Sequence, residues 1–121
     1  MQKVIEKAAV LIEALPYIQK FKGETIVVKF GGSIMDDEEG VQAILNDVAF
    51  MACVGLRPVL VHGGGKAISQ RMKDRGLKPA FLKGLRVTDE PTMEIVEQVL
   101  NVEINPHMVS LLGAFGCKGR G

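Results

Sequence analysis

An excess of either charge is missing: fifteen basic and fourteen acidic side chains leave a net charge of +1 over 121 residues. A nucleic-acid or membrane-surface role driven by bulk charge is thereby excluded, while a local basic site stays open. Cysteine is equally scarce. Cys53 and Cys117 stand far apart and form no CxxC or Cys/His ligand pattern, so they read as idle thiols of a reducing compartment. Long apolar runs are missing too. No uncharged stretch approaches the roughly 18 residues that span a bilayer. Lys3, Glu6, Lys7 and Glu13 interrupt the N-terminal segment where a signal peptide would need an apolar core. The expected location is cytoplasmic, with no nucleic acid and no membrane as partner. There are no internal repeats, and the length suits about one domain with a real hydrophobic core.

What the chain does contain is strands and helices in alternation. Val4, Ala8, Leu11, Ile12 and Leu15 give residues 3–15 a helical stripe, which Pro16 is expected to interrupt or kink. TIVVKF at 25–30 is short, β-branched and apolar on both faces, as a buried parallel strand would be, and RPVLVH at 57–62 reads as a second buried strand. Between them, DDEEGVQAILNDVAFMACVG predicts a helix with an acidic first turn. Its buried stripe is Val41, Ile44, Leu45, Val48 and Ala52, and its stop is Gly55. GKAISQRMKDRG predicts a further helix ending at Gly76, and KPAFLKGLRVTD a hairpin around Gly84. EPTMEIVEQVLN predicts a helix with Met93, Val96 and Leu100 on one face. NPHMVSLLGAFG predicts another, entered at Pro106 and stopped at Gly113 or Gly116. This order describes a doubly wound α/β sheet, in which ligands bind at the carboxyl ends of the strands. Both glycine turns, Gly31–Gly32 and Gly63–Gly65, fall there.

Backbone N–H groups at a glycine turn and a following helix N-terminus make an anion site, because no Cβ holds the anion away. Phosphate and carboxylate are both candidates, and tight helix–strand packing is the alternative reason for the glycines. A Walker loop is excluded, since Ala67 follows Gly65-Lys66 and Leu60 stands where the first glycine belongs. The dinucleotide fingerprint fails at Ile68. Lys29, in a strand of Ile26, Val27, Val28 and Phe30, reads either as a solvated edge lysine or as a cation awaiting a phosphate on the adjacent turn. Arg86, in KGLRVTD, reads either as a surface hairpin residue or as a planar fork for a carboxylate. His62 fits a loop-orienting hydrogen bond better than a base. Lys66, Arg71, Lys73 and Arg75 read as a solvated helix face, and His107 has no partner pattern.

The segments LPYIQKFKGETIVVKFGGS, PVLVHGGGKAIS and KGLRVTDEPTMEIVEQVL resemble the acetylglutamate kinases of the amino-acid kinase family. The resemblance runs from about Leu15 to near the end of the chain. K-x-G-G and HGGG occur more widely in that family, whereas GLRVTD at this distance after HGGG is the specific part. The resemblance implies ATP-dependent phosphorylation of the γ-carboxylate of N-acetyl-L-glutamate in L-arginine biosynthesis. By position, Lys29 would stabilise the transferring phosphoryl group, with Gly31 and Gly32 lining the phosphate side. Gly64 and Gly65 would contact N-acetyl-L-glutamate, and Arg86 would pair with its α-carboxylate. Mg2+ would arrive with ATP rather than sit in a protein cage.

The fold implied is α/β, a three-layer sandwich around a mainly parallel sheet, the N-terminal lobe of the amino-acid kinase fold. Residues 1–22 are then an amphipathic helical extension and residues 23–121 the acetylglutamate-binding lobe. Members with such an extension resemble the class that is hexameric and inhibited by L-arginine, so a homo-oligomer, dimer or hexamer, is implied. Family members are longer, and their second half holds most of the nucleotide site. The expectation is an N-terminal portion without a complete ATP site, ending in a tail, Lys118–Gly121, that makes a poor strand. The alternatives are a non-catalytic sensor or oligomerisation module, another amino-acid kinase, or the kinase-like domain of an acetylglutamate synthase.

Overall fold

Two parallel strands fix the geometry of everything else. The computed structural model describes residues 1–121, and in it β1 (Thr25–Phe30) pairs with β2 (Arg57–His62), with Phe30 opposite His62. Both strands therefore end in step, and both glycine turns emerge at the same edge. After β1 the chain makes a 3-10 turn, Gly32–Asp36, and then enters the second helix of the chain, α2 (Glu38–Cys53). Glu38 and Glu39 face the positive end of the α2 dipole, and Gly55, at φ 94°, reverses the chain into β2.

Helix α2 buries Val41, Leu45, Val48 and Ala49. The first three meet Phe30 of β1 and Met108 and Leu112 of the last helix in the larger of two cores. Leu45 is fully enclosed at 0% exposure, a burial worth roughly 1.5–3 kcal/mol. The second core joins α3 (Gly65–Asp74) to α4 (Glu90–Glu97) through Ile68, Met72, Ile95 and Val99. Ile104 packs against both cores and ties them together.

The fold class is the expected one, mixed α/β around a parallel sheet. One expectation is corrected: the strands are buried on one face only. Val27, Val59 and Val61 are 64%, 47% and 42% exposed on the other. A β-branched run shows that a strand can be covered on both sides; it does not show that these residues supply the second cover.

Helix α1 (Gln2–Phe21) is continuous through Pro16, so of the two expected effects the proline does not interrupt it. A proline removes one intrahelical hydrogen bond and crowds the preceding turn. None of the residues of α1 is buried, so no packing opposes the adjustment the ring requires. The hairpin follows its prediction: β3 (Phe81–Leu82) and β4 (Leu85–Arg86) are antiparallel, joined by Lys83 and Gly84 at φ 50° and 81°. Positive φ at both central residues is what a tight two-residue hairpin needs.

Asp89 caps α4, its carboxylate accepting from the Thr92 backbone N–H at 3.1 Å. Hydrogen bonding by Thr92, through its side chain first and its backbone N–H second, holds the Asp89 carboxyl below the ordinary carboxylate range. Helix α4 buries Thr92 and Ile95, and Val99 continues that line just beyond it. Of the predicted stripe, Val96 and Leu100 pack half-buried against the same core, while Met93 is 58% exposed. Beyond α4 the helix does not stop before Pro106. It continues through a π-helical stretch, Gln98–Ile104, into α5 (Asn105–Ala114). Pro106 has no N–H and its ring crowds the carbonyl four residues back; a wider turn before it relieves both.

Candidate functional site

The two glycine turns touch. The Gly63 N–H donates to the Phe30 carbonyl at 2.9 Å. A Cβ on Gly63 would lie 3.1 Å from the Gly31 Cα, and one on Gly31 would lie 3.4 Å from the Gly63 Cα. Close backbone approach therefore explains both residues. At Gly64 a Cβ would lie 2.5 Å from Cδ2 of Leu100 and 2.9 Å from Cδ1 of Ile104, so packing against the π-helical stretch explains that glycine. Gly65 meets nothing within 4 Å. Its bareness has no packing cause, and it faces a cavity.

That cavity, about 790 Å³, opens where the strands end. Gly32 and Gly63–Gly65 form one side, Lys66 and Arg86 bring positive charge, and Ile104 and Met108 supply apolar surface. The first amides of α3, just after Gly64, have no partners inside the helix and lie at its positive end.

Arg86 is the best-held cation of the site. Its Nη2 donates to the Ser69 Oγ at 2.7 Å and to the Gly65 carbonyl at 2.9 Å. Nη1 lies 3.1 Å from the Met72 Sδ, and the guanidinium sits 4.8 Å from the centre of the Phe81 ring. None of these partners is a carboxylate. The half-buried guanidinium is thus fixed in direction and left without a neutralising charge. This arrangement favours an anion in the cavity.

Lys29 is placed differently. It pairs in register with Val61 at the end of β1, is exposed, and is not part of the cavity wall. The chain forms two ion pairs, Lys66–Asp36 and Arg71–Glu103, and Lys29 belongs to neither. The structure thus brings Gly32, Gly64, Gly65 and Arg86 together around one space. Gly31 backs that space through Gly63, and Lys29 stands outside it.

One reading of the sequence changes: Lys66, Lys73 and Arg75 are exposed as a solvated face requires, with Lys66 also pairing with Asp36 and both lysines on the cavity wall, whereas Arg71 is half-buried in a two-pronged pair with Glu103. His62 behaves as expected, its Nδ1 lying 3.0 Å from the Gly63 carbonyl. Glu103 and His107 were missed as wall residues. Their one signal is spacing, since with Ile104 and Met108 they repeat every four residues along one helical face. No three His, Cys, Asp or Glu side chains gather in a way that could hold a metal ion. No helix is long and apolar enough to cross a membrane.

Comparison with known proteins adds the family. Residues 24–121 match the pattern described as the Amino acid kinase family. The chain is 54% identical over 111 residues to an acetylglutamate kinase of Acaryochloris marina, covering 92% of this chain and 39% of that protein. It is 50% identical over 121 residues to one from Heliobacterium modesticaldum, covering 100% and 41%. The chain thus spans about two fifths of the length of the curated relatives it matches. Among solved structures it is similar to N-acetylglutamate synthase from Neisseria gonorrhoeae complexed with coenzyme A and N-acetyl-glutamate. There the TM-score is 0.75 at 26% identity, covering 89% of this chain and 25% of the other. The same synthase complexed with coenzyme A and L-arginine gives 0.67 at 29% identity, covering 94% and 26%. The resemblance read from KFGG, HGGG and GLRVTD is borne out.

Proposed function

The chain belongs to the amino acid kinase family, and from that premise we propose that residues 24–121 supply the acceptor side of an acetylglutamate kinase. The reaction transfers the γ-phosphoryl group of ATP to the γ-carboxylate of N-acetyl-L-glutamate, a step of L-arginine biosynthesis in the cytoplasm. The observation that carries this reading is Arg86: a fixed guanidinium with no carboxylate of its own, aimed into a cavity beside the bare Gly65.

Arg86 binds the α-carboxylate, and the α3 N-terminus with Gly64 and Gly65 seats the rest of the acceptor. The γ-carboxylate then lies toward the touching turns. One of its oxygens forms a bond to the γ-phosphorus while the bond from that phosphorus to the β–γ bridging oxygen breaks, and the electron pair leaves with ADP. The attacking carboxylate is already ionised at neutral pH, so no base is required. Gly31 and Gly32 present amides to the transferring group, and Lys29 reaches it from the exposed face of β1. Positioning and charge do the work in such a transfer. Of the carboxylates on the cavity wall, Asp36 is paired with Lys66 and Glu103 with Arg71. The metal would accompany the ATP phosphates, and no step here depends on it.

Sequence identity favours a kinase over a synthase, at 54% and 50% against 26% and 29% for the relatives compared. The exposed apolar residues of α1, Val4, Ile5, Leu11 and Ile12 among them, support a second element of the reading. Residues 1–22 form a helical extension that pairs with another copy in a dimer or hexamer, with L-arginine as inhibitor. Size measurement before and after deletion of residues 1–15 tests the pairing, and an unchanged oligomer would remove it.

The acceptor reading is tested by calorimetric titration of the chain. N-acetyl-L-glutamate should bind at one saturable site, and L-glutamate more weakly by about tenfold, since its ammonium enters a cavity where Lys73 and Arg86 carry positive charge while the carboxylates Asp36 and Glu103 are already paired. No binding of N-acetyl-L-glutamate would end the proposal.

A further inference from the structure

The structure assigns Arg71 and Glu103 a positioning role at the cavity, an inference that rests on the acceptor reading above. Nη1 of Arg71 donates to Oε1 of Glu103 at 2.7 Å and Nη2 donates to Oε2 at 3.0 Å. This is the two-pronged geometry in which an arginine–carboxylate pair is strongest and most directional. Both side chains are only about a third exposed, at 37% and 35%, so the pair is less screened than an ordinary surface bridge.

What the pair joins gives it consequence. Glu103 lies in the π-helical stretch 98–104, a geometry that rarely persists without support from its surroundings. From that stretch Leu100 and Ile104 fill the space a Cβ on Gly64 would occupy, and Glu103 and Ile104 form part of the cavity wall. Arg71 lies on α3, two positions beyond Ser69, whose Oγ accepts from Arg86. A single pair thus ties the helix that holds the substrate-facing arginine to the stretch that shapes the opposite wall. The other ion pair of the chain, Lys66–Asp36, runs instead to the 3-10 turn after β1.

Without the tie, the π-helical stretch keeps the wide turn that Pro106 requires but loses its anchor to α3, so Ile104 and His107 shift relative to Gly64 and the wall changes. Both carboxylate oxygens of Glu103 are occupied by Arg71, so Glu103 acts on the ligand through the shape of the wall. Neither residue is catalytic. Neither was singled out for this by sequence, where Arg71 reads as one of several solvated cations.

The test compares the wild type, Arg71→Met, Glu103→Gln and the double exchange Arg71→Glu with Glu103→Arg, at a temperature where all four are folded. Two quantities are measured: affinity for N-acetyl-L-glutamate by calorimetry, and backbone hydrogen exchange over residues 98–105. Each single variant should bind roughly three- to tenfold more weakly, the range of one partly screened ion pair, and should exchange faster over 98–105. The double exchange should recover both. Single variants that exchange like the wild type would overturn the tie, and faster exchange with unchanged affinity would reduce it to a structural bond. Both outcomes leave the acceptor reading standing as long as the wild type binds. A wild type that fails to bind overturns the acceptor reading and the positioning role with it.

Discussion

Arg86 and Lys29 are both cations at strand ends beside a glycine turn, yet Arg86 is held from several sides and Lys29 by nothing. Two acceptors, a sulfur atom and an aromatic ring orient the Arg86 guanidinium before any ligand arrives. Lys29 is exposed on the open face of β1 and enters neither ion pair of the chain. The two side chains suit different tasks. A fixed planar fork recognises a carboxylate that is present from the moment of binding. A mobile ammonium on a long stem can follow charge that shifts as a phosphoryl group is transferred. On the proposed function, the contrast separates recognition, on the cavity side of the glycine turns, from charge stabilisation on the other side.

The largest effect expected from breaking this division is on turnover. In an active enzyme containing these residues, Lys29→Ala should lower kcat roughly 100- to 1000-fold, the cost of one lost transition-state donor. The KM for N-acetyl-L-glutamate should stay close to its original value. Steady-state kinetics check this, and near-normal turnover would remove Lys29 from the chemistry.

A smaller effect falls on the recognition side. Gly64→Ala places a methyl group 2.5 Å from Cδ2 of Leu100 and 2.9 Å from Cδ1 of Ile104, and turning those side-chain ends away costs about 0.5–1.5 kcal/mol. Because Arg86 bonds to the neighbouring Gly65 carbonyl, a shift of the α3 start should weaken acceptor binding as well. Denaturant unfolding and calorimetry on the same variant check both consequences.

How much of this was legible in the sequence differs between its parts. The bounds of β1 and β2, the stops at Gly55 and Gly76 and the Lys83-Gly84 turn were all readable, because each depends on neighbours a few residues apart. The touching of Gly31 and Gly63 was not, and neither were the partners of Arg86, which lie 17 and 21 residues away in the chain. Lys66–Asp36 and Arg71–Glu103, separated by 30 and 32 residues, were hidden for the same reason. A charged residue on a helix looks the same in sequence whether its partner is water or a carboxylate on another element. The π-helical stretch escaped because its apolar spacing also fits an α-helix, and Pro106 reads naturally as a beginning.

The smallest effect expected serves as a control, since it touches neither cation. Asp89 caps α4 shortly after Arg86, and Thr92 holds its carboxyl below the reference value of 3.8. A depressed carboxylate contributes its stability above the unfolded-chain pKa and loses it as pH falls through the lower folded value. Asp89→Ala should therefore be less stable than the wild type at neutral pH, and the difference should vanish at strongly acid pH. Urea midpoints measured across pH follow this, while affinity for N-acetyl-L-glutamate at neutral pH changes little.

The separation of the two cations is tested most directly by titrating N-acetyl-L-glutamate, without nucleotide, into Arg86→Ala and Lys29→Ala alongside the wild type. Arg86→Ala should bind roughly 10- to 100-fold more weakly, as expected for a lost charged hydrogen-bonding partner. Lys29→Ala should bind within about twofold of the wild type, a difference of a few tenths of a kcal/mol. Equal losses in the two variants, or tight binding by Arg86→Ala, would contradict the division of roles.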